Sequence, residues 1–136
     1  MRRRDFLGGA AAPLLGQTKQ APNILFFLCD DLGWGDPGCY GNRFLPTPNL
    51  DRFAKQGTQF TQFYVANPVC SPSRTGFMTG QYPARHRIHG HLAAAELNEK
   101  RGMPNWLEPK APMLPRMLKE AGYATAHFGK WHLGSG

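Results

Sequence analysis

The fold class predicted is α/β: a largely parallel central sheet flanked by helices. Three stretches predict it. Residues 24–29 form a continuous apolar run that leads into Asp30, Asp31 and Gly33. Residues 58–66, rich in Phe, Tyr, Thr and Val, follow a helix-patterned segment. Residues 123–128 follow a second one. Apolar runs without alternation mark strands covered on both faces, and helix-then-strand order marks parallel connections.

The first run delivers two adjacent carboxylates, Asp30 and Asp31, to a strand's carboxyl end, where ligands gather in open α/β sheets. Adjacent carboxylates repel, and a hard cation between them removes that cost. Successive strand side chains point to opposite faces, so the backbone must leave strand geometry here for both to converge. Gly33 and Gly35 make such a turn easy. Taken alone, an acidic pair is more often a solvated loop.

In residues 46–57, Thr47 is placed to cap a helix and Pro48 fits its first turn. Leu50, Phe53 and Ala54 recur at helical spacing, and Gly57 is expected to end the helix in the left-handed conformation. This segment reads as packing rather than chemistry.

Cys70-Ser71-Pro72-Ser73-Arg74, with Thr79-Gly80 after it, opens the next helix. Pro72 suits the first helical position and Ser71 the N-cap. Cys70 then lies just outside a helix end whose free N–H groups and dipole attract anions. Arg74, one turn on, offers a planar donor fork. A nucleophile, a positive helix end and an arginine together suit an oxyanion ester. The alternative is a buried cysteine ahead of an ordinary capped helix.

The run from Cys70 to Gly80 resembles the type I sulfatase signature C-x-P-S-R-x-x-x-L-T-G, with Met78 in the leucine position, a volume-conserving swap. Four further segments fit the same family. The Asp30-Asp31 pair resembles its paired metal-binding aspartates, and residues 46–57 its T-P-N-L-D-x-L-A-x-x-G run, with Phe53 for leucine. Residues 80–86 are similar to G-x-Y-P-x-R-H. In the basic cluster that follows, Arg85, His86, Arg87, His89 and His91 read mostly as a solvated loop, and His89-Gly90-His91 lacks the further ligands of a metal site. Residues 91–112 are polar and Pro-bearing, a loop with a short helix over 93–100.

Leu114, Met117, Leu118 and Ala121 follow helical spacing and Gly122 caps. After the strand at 123–128 comes Gly129-Lys130-Trp131-His132-Leu133-Gly134, which matches the family closely. Lys130 and His132, two apart, share one face of an extended segment.

The resemblance implies an alkaline-phosphatase-like fold of which residues 21–136 form the N-terminal part. It implies oxidation of Cys70 to Cα-formylglycine by a modifying enzyme that reads Cys70, Pro72 and Arg74. The implied metal is calcium, or magnesium in some members, on Asp30, Asp31 and residue 70. Lys130 binds the sulfate, and His132 holds and deprotonates the hydrated aldehyde. One geminal hydroxyl attacks sulfur and the second expels sulfate, a cycle closed to an unmodified thiol. Arg74, Lys130, the cation and the helix end meet the sulfuryl charge. The acid for the leaving oxygen, and the remaining ligands, are expected downstream.

Arg2-Arg3-Arg4-Asp5-Phe6-Leu7 resembles a twin-arginine export signal, so residues 1–20 read as signal and linker and the destination as periplasmic or secreted. No segment is long and apolar enough to span a bilayer. Lys plus Arg number 16 against 9 Asp plus Glu. Without Arg2, Arg3, Arg4, Lys19 and Asp5 the balance is 12 against 8, a mild, scattered surplus that argues against nucleic-acid binding. A positive cleft suits a sulfated small molecule or polysaccharide. Three cysteines make no disulfide framework, and Cys29 is expected in the core at its strand's end. Two rivals to sulfate-ester hydrolysis are phosphonate monoester or phosphodiester hydrolysis by the same superfamily, and an inert truncated or anion-binding product.

Overall fold

A computed structural model describes residues 21–134. The expected export signal lies outside that span. Among the described residues four α-helices carry the regular structure: α1 (Pro48–Gln56), α2 (Cys70–Thr79), α3 (Ala95–Lys100) and α4 (Leu114–Glu120). Two 3-10 turns, Gly38–Tyr40 and Pro83–His86, precede α1 and follow α2. None of these helices is long and apolar enough to cross a membrane.

Helix α1 starts where Pro48 predicts, but Thr47 does not cap it. Its hydroxyl instead accepts the Gly38 N–H at 2.7 Å and donates to Asp51 at 2.9 Å, tying the helix start to the 38–40 turn. Gly57 is extended rather than left-handed, with φ −124°. The apolar side chains of α1 face outward; Phe53 is 72% exposed.

The start of α2 also departs from expectation. The helix begins at Cys70 itself, with Val69 at the N-cap and Pro72 inside the first turn. A proline costs no hydrogen bond there, because first-turn N–H groups have no partner within the helix. The segment entering it is fixed by the Asn67 side chain, which accepts the Val69 N–H at 3.0 Å. Gly80 ends α2 at φ +66°, donating to the Gly76 carbonyl. A Cβ at Gly76 would fall 2.8 Å from the Cβ of Ala66, so glycine lets the segment approaching α2 lie directly on the helix.

The predicted parallel sheet is not seen among the described residues. Residues 24–29, 58–66 and 123–128 carry no helix and pair in no ladder. A parallel strand satisfies its N–H and C=O groups only against neighbours, and a fully covered one needs both faces packed. Here Leu25 and Phe27 are 78% and 81% exposed, and Cys29 is exposed rather than in a core. The first run meets α2 through Phe26, whose ring lies 5.1 Å from that of Phe77.

The core gathers elsewhere. Ile88, Leu92, Leu107, Ala111 and Leu133 are buried together, with Met78, Met113 and Trp131 against them. The Leu107 N–H donates to the Leu133 carbonyl at 2.9 Å, so the loop after α3 closes over the chain's last described turn. The short helix predicted over 93–100 forms as α3, and Asn98 within it is fully buried. The core packs directly beneath the residues that follow Gly129. In the full-length protein, Ile88→Ala should lower unfolding free energy by about 2–5 kcal/mol, as large-to-small changes at buried sites do; a chemical-denaturation midpoint unmoved by the change would refute this packing.

Candidate active site

Asp30, at the end of the apolar run, is the centre of the charged geometry. Its Oδ1 accepts from Arg74 Nη2 at 3.2 Å and its Oδ2 from Lys130 Nζ at 2.6 Å. Arg74, 7% exposed at its side chain, also donates through Nη1 to the Lys130 carbonyl at 2.5 Å. Three segments, separated by 44 and 56 residues, are thus joined by one carboxylate and one guanidinium. A planar fork with several donors suits this double engagement in a way that an ammonium does not.

The charges hold one another. The hydrogen bond from Lys130 lowers the Asp30 carboxyl below its ordinary value, Arg74 adds to this, and partial desolvation opposes it. Lys130 is raised, first by its bond to Asp30, against desolvation, and further by the electrostatics of Cys70 and Asp30. Both side chains remain about 40% exposed, so water screens much of the pair's strength.

Cys70 is half-buried as the first residue of α2. Asp31 has φ +57°, so the backbone leaves strand geometry where the convergence of two carboxylates requires it. Asp31 is not a partner of either cation around Asp30. Hard oxygen donors of this type suit calcium or magnesium. Asp30, Asp31 and an oxygen at residue 70 fit such an ion in chemistry, although no cluster of three or more His, Cys, Asp or Glu side chains forms among the described residues. They supply part of a shell of the six to eight oxygens that calcium takes.

Lys130 and His132 do not share one face, as an extended segment would require. His132 has φ +53°, and the two side chains go to different partners. Lys130 reaches Asp30, whereas His132 Nε2 lies 2.9 Å from the Leu92 carbonyl. Trp131 between them packs on the core and meets His127 edge-on at 5.2 Å. His132 Nδ1 and Arg74 Nε are buried without a hydrogen-bond partner. His86 Nε2 is buried without a hydrogen-bond partner as well.

Sequence reasoning missed three contributors. Ser71, expected as a cap, has its hydroxyl 2.9 Å from the Leu92 N–H, which donates to it. The Leu92 backbone completes that contact and Asn98 holds the next residue, Ala93, and no spacing rule marks either one. Their signal is burial, which only folding reveals.

The structure thus gathers a cysteine at a helix start, a carboxylate held by two cations, and a histidine whose Nδ1 has no protein partner. The chain belongs to the sulfatase family, whose model matches residues 22–135. It is 46% identical over 132 residues to steryl-sulfatase of Mus musculus, covering 96% of this chain and 21% of that protein. It is 46% identical over 133 residues to N-acetylgalactosamine-6-sulfatase of Canis lupus familiaris, and 44% identical to that of Homo sapiens. Each of those two alignments covers 94% of this chain and 24% of the relative. The chain therefore spans about a quarter or less of the length of these curated relatives. Membership implies the alkaline-phosphatase-like α/β fold.

Because Asp30 is lowered, its ion pairs are complete above the ordinary carboxylate value and are lost as pH falls through the lowered folded value. In metal-free full-length protein, Lys130→Met should move the Asp30 carboxyl titration upward toward that ordinary value. A carboxyl carbon chemical-shift titration reads this, and an unmoved midpoint would mean that Lys130 is not its main partner.

Proposed function

We propose that this chain supplies the nucleophile-bearing part of an enzyme that hydrolyses sulfate esters. The observation that carries the reading is the joint hold of Arg74 and Lys130 on Asp30 beside the Cys70 helix start. Family membership and relatives named as sulfatases support sulfur over phosphorus as the reacting centre.

Oxidised to Cα-formylglycine by a formylglycine-generating or equivalent enzyme, residue 70 would supply a hydrated aldehyde as nucleophile. A calcium or magnesium ion on Asp30, Asp31 and residue 70 would supply Lewis-acid chemistry at the sulfuryl oxygens. The chain's own residues do the rest. Arg74, buried and anchored through Asp30 and the Lys130 carbonyl, presents a fixed positive charge with no reorganisation cost. Lys130 keeps its proton and binds sulfate oxygen as a point charge, giving up part of its bond to Asp30. The α2 N-terminus contributes free N–H groups toward residue 70. His132 accepts a proton at Nδ1, the nitrogen that faces no protein partner.

The two kinds of relative differ in the alcohol they are named for, a sterol and an aminosugar, yet identity to both is 46%. Likeness in this segment therefore does not select between the two leaving groups. The substrate class proposed is a sulfated small molecule or polysaccharide. The arginine-rich start supports export through the twin-arginine route to the periplasm or beyond, which carries folded proteins and so suits a cysteine modified before export.

The test uses the full-length protein made with a modifying enzyme, with residue 70 followed by peptide mass spectrometry and turnover measured on aryl sulfate and aryl phosphonate. Loss of mass at residue 70 and preference for the sulfate are expected. Cys70→Ala should reduce turnover by about a thousandfold or more, as loss of a covalent nucleophile does. Aldehyde-bearing, metal-supplied protein that leaves every sulfate ester intact would overturn the proposal.

A further inference from the structure

We propose that Ser71, supported by Asn98, is a positioning residue that fixes the pose and tautomer of His132; this rests on the reading of His132 as the proton acceptor. The connection is a short relay through the backbone of one residue, Leu92. Ser71 Oγ accepts the Leu92 N–H at 2.9 Å, and the Leu92 carbonyl accepts from His132 Nε2 at 2.9 Å. A carbonyl can only accept, so the neutral imidazole carries its proton on Nε2 and leaves Nδ1 as a bare acceptor. That nitrogen is the one buried without a partner.

The next residue is clamped from the other side. Ala93 donates its N–H to Asn98 Oδ1 at 2.9 Å, and Asn98 Nδ2 returns a bond to the Ala93 carbonyl at 2.9 Å. A third bond, from Asn98 Nδ2 to Asn105 Oδ1 at 3.0 Å, fixes the carboxamide itself. Ser71 and Asn98 are both fully buried, so water cannot replace either side chain. The Leu92–Ala93 strip is thereby referenced to α2 at Ser71 and to α3 at Asn98.

The geometry matters because Ser71 is the covalent neighbour of Cys70. The residue that places the nucleophile's helix end also sets, through Leu92, the imidazole 40 residues from that leucine. Small displacements of a proton acceptor are costly, because transfer demands hydrogen-bond distance and alignment. The hydroxyl thus gives nucleophile and base a common frame.

The test compares Ser71→Ala, Asn98→Ala, His132→Ala and the Ser71→Ala/His132→Ala double variant in the full-length enzyme on an aryl sulfate. Rates are normalised to the aldehyde content of residue 70, because Ser71 lies within the segment that the modifying enzyme reads. Ser71→Ala is expected to lower kcat about tenfold with KM changed less than about twofold, Asn98→Ala to lower kcat in the same sense, and the double variant to match His132→Ala alone. Losses that multiply in the double variant, or an Ser71→Ala kcat equal to the parent, overturn the coupling while leaving sulfate hydrolysis standing. An undiminished His132→Ala overturns instead the base assignment beneath it. Asn98, outside the modification motif, keeps the proposal falsifiable if Ser71→Ala is not modified at residue 70.

Discussion

One carboxylate with two cationic partners organises the site. Asp30 arrives on an apolar run, Arg74 on the second turn of α2, and Lys130 on the segment beyond Gly129. No local rule brings these together, because 44 and 100 residues separate Asp30 from its partners. Bringing them together costs chain entropy and desolvation, and the ion pair alone repays little of this while it is 40% exposed. The buried core beside it, from Ile88 to Leu133, supplies the compensating apolar burial. The charge cluster is therefore carried by the core and not the reverse.

That arrangement has an electrostatic consequence for any divalent ion. Lys130 and Arg74 already neutralise Asp30, so a cation that binds it must share the carboxylate with them. A bound ion brings the largest local charge and reverses the local titration balance. Lys130 is the more exposed and flexible of the two partners, whereas Arg74 is buried and held twice. The ammonium is the group able to turn toward an incoming anion, and the guanidinium is the one that stays.

Legibility in the sequence followed the range of the interaction. Helices α1, α2 and α4 were readable from proline placement or 3.6-residue spacing, both local properties, and α3 only as a short helix within a polar loop. The departure of the backbone at Asp31 was readable because two adjacent side chains cannot converge from a strand. Caps were misread at Thr47 and Ser71 because a hydroxyl near a helix start can serve any donor within reach. Both found better partners across the fold, Gly38 and Leu92. The shared face predicted for Lys130 and His132 failed because His132 takes a left-handed backbone conformation, which a two-residue repeat does not foresee.

The sheet is the other departure, and its cause is partnership. Leu25, Phe27 and Phe128 are apolar, as covered strand residues must be, and all three are exposed among the described residues. A strand's character is written in its side chains, but its hydrogen bonds belong to its neighbours. The helix start, the core and the relay from Ser71 to His132 depend on contacts internal to residues 67–134. They form without a ladder. This separates two kinds of order in one chain: a frame set by side-chain clamps on the Leu92–Ala93 backbone, and apolar runs that pair in no ladder among the described residues.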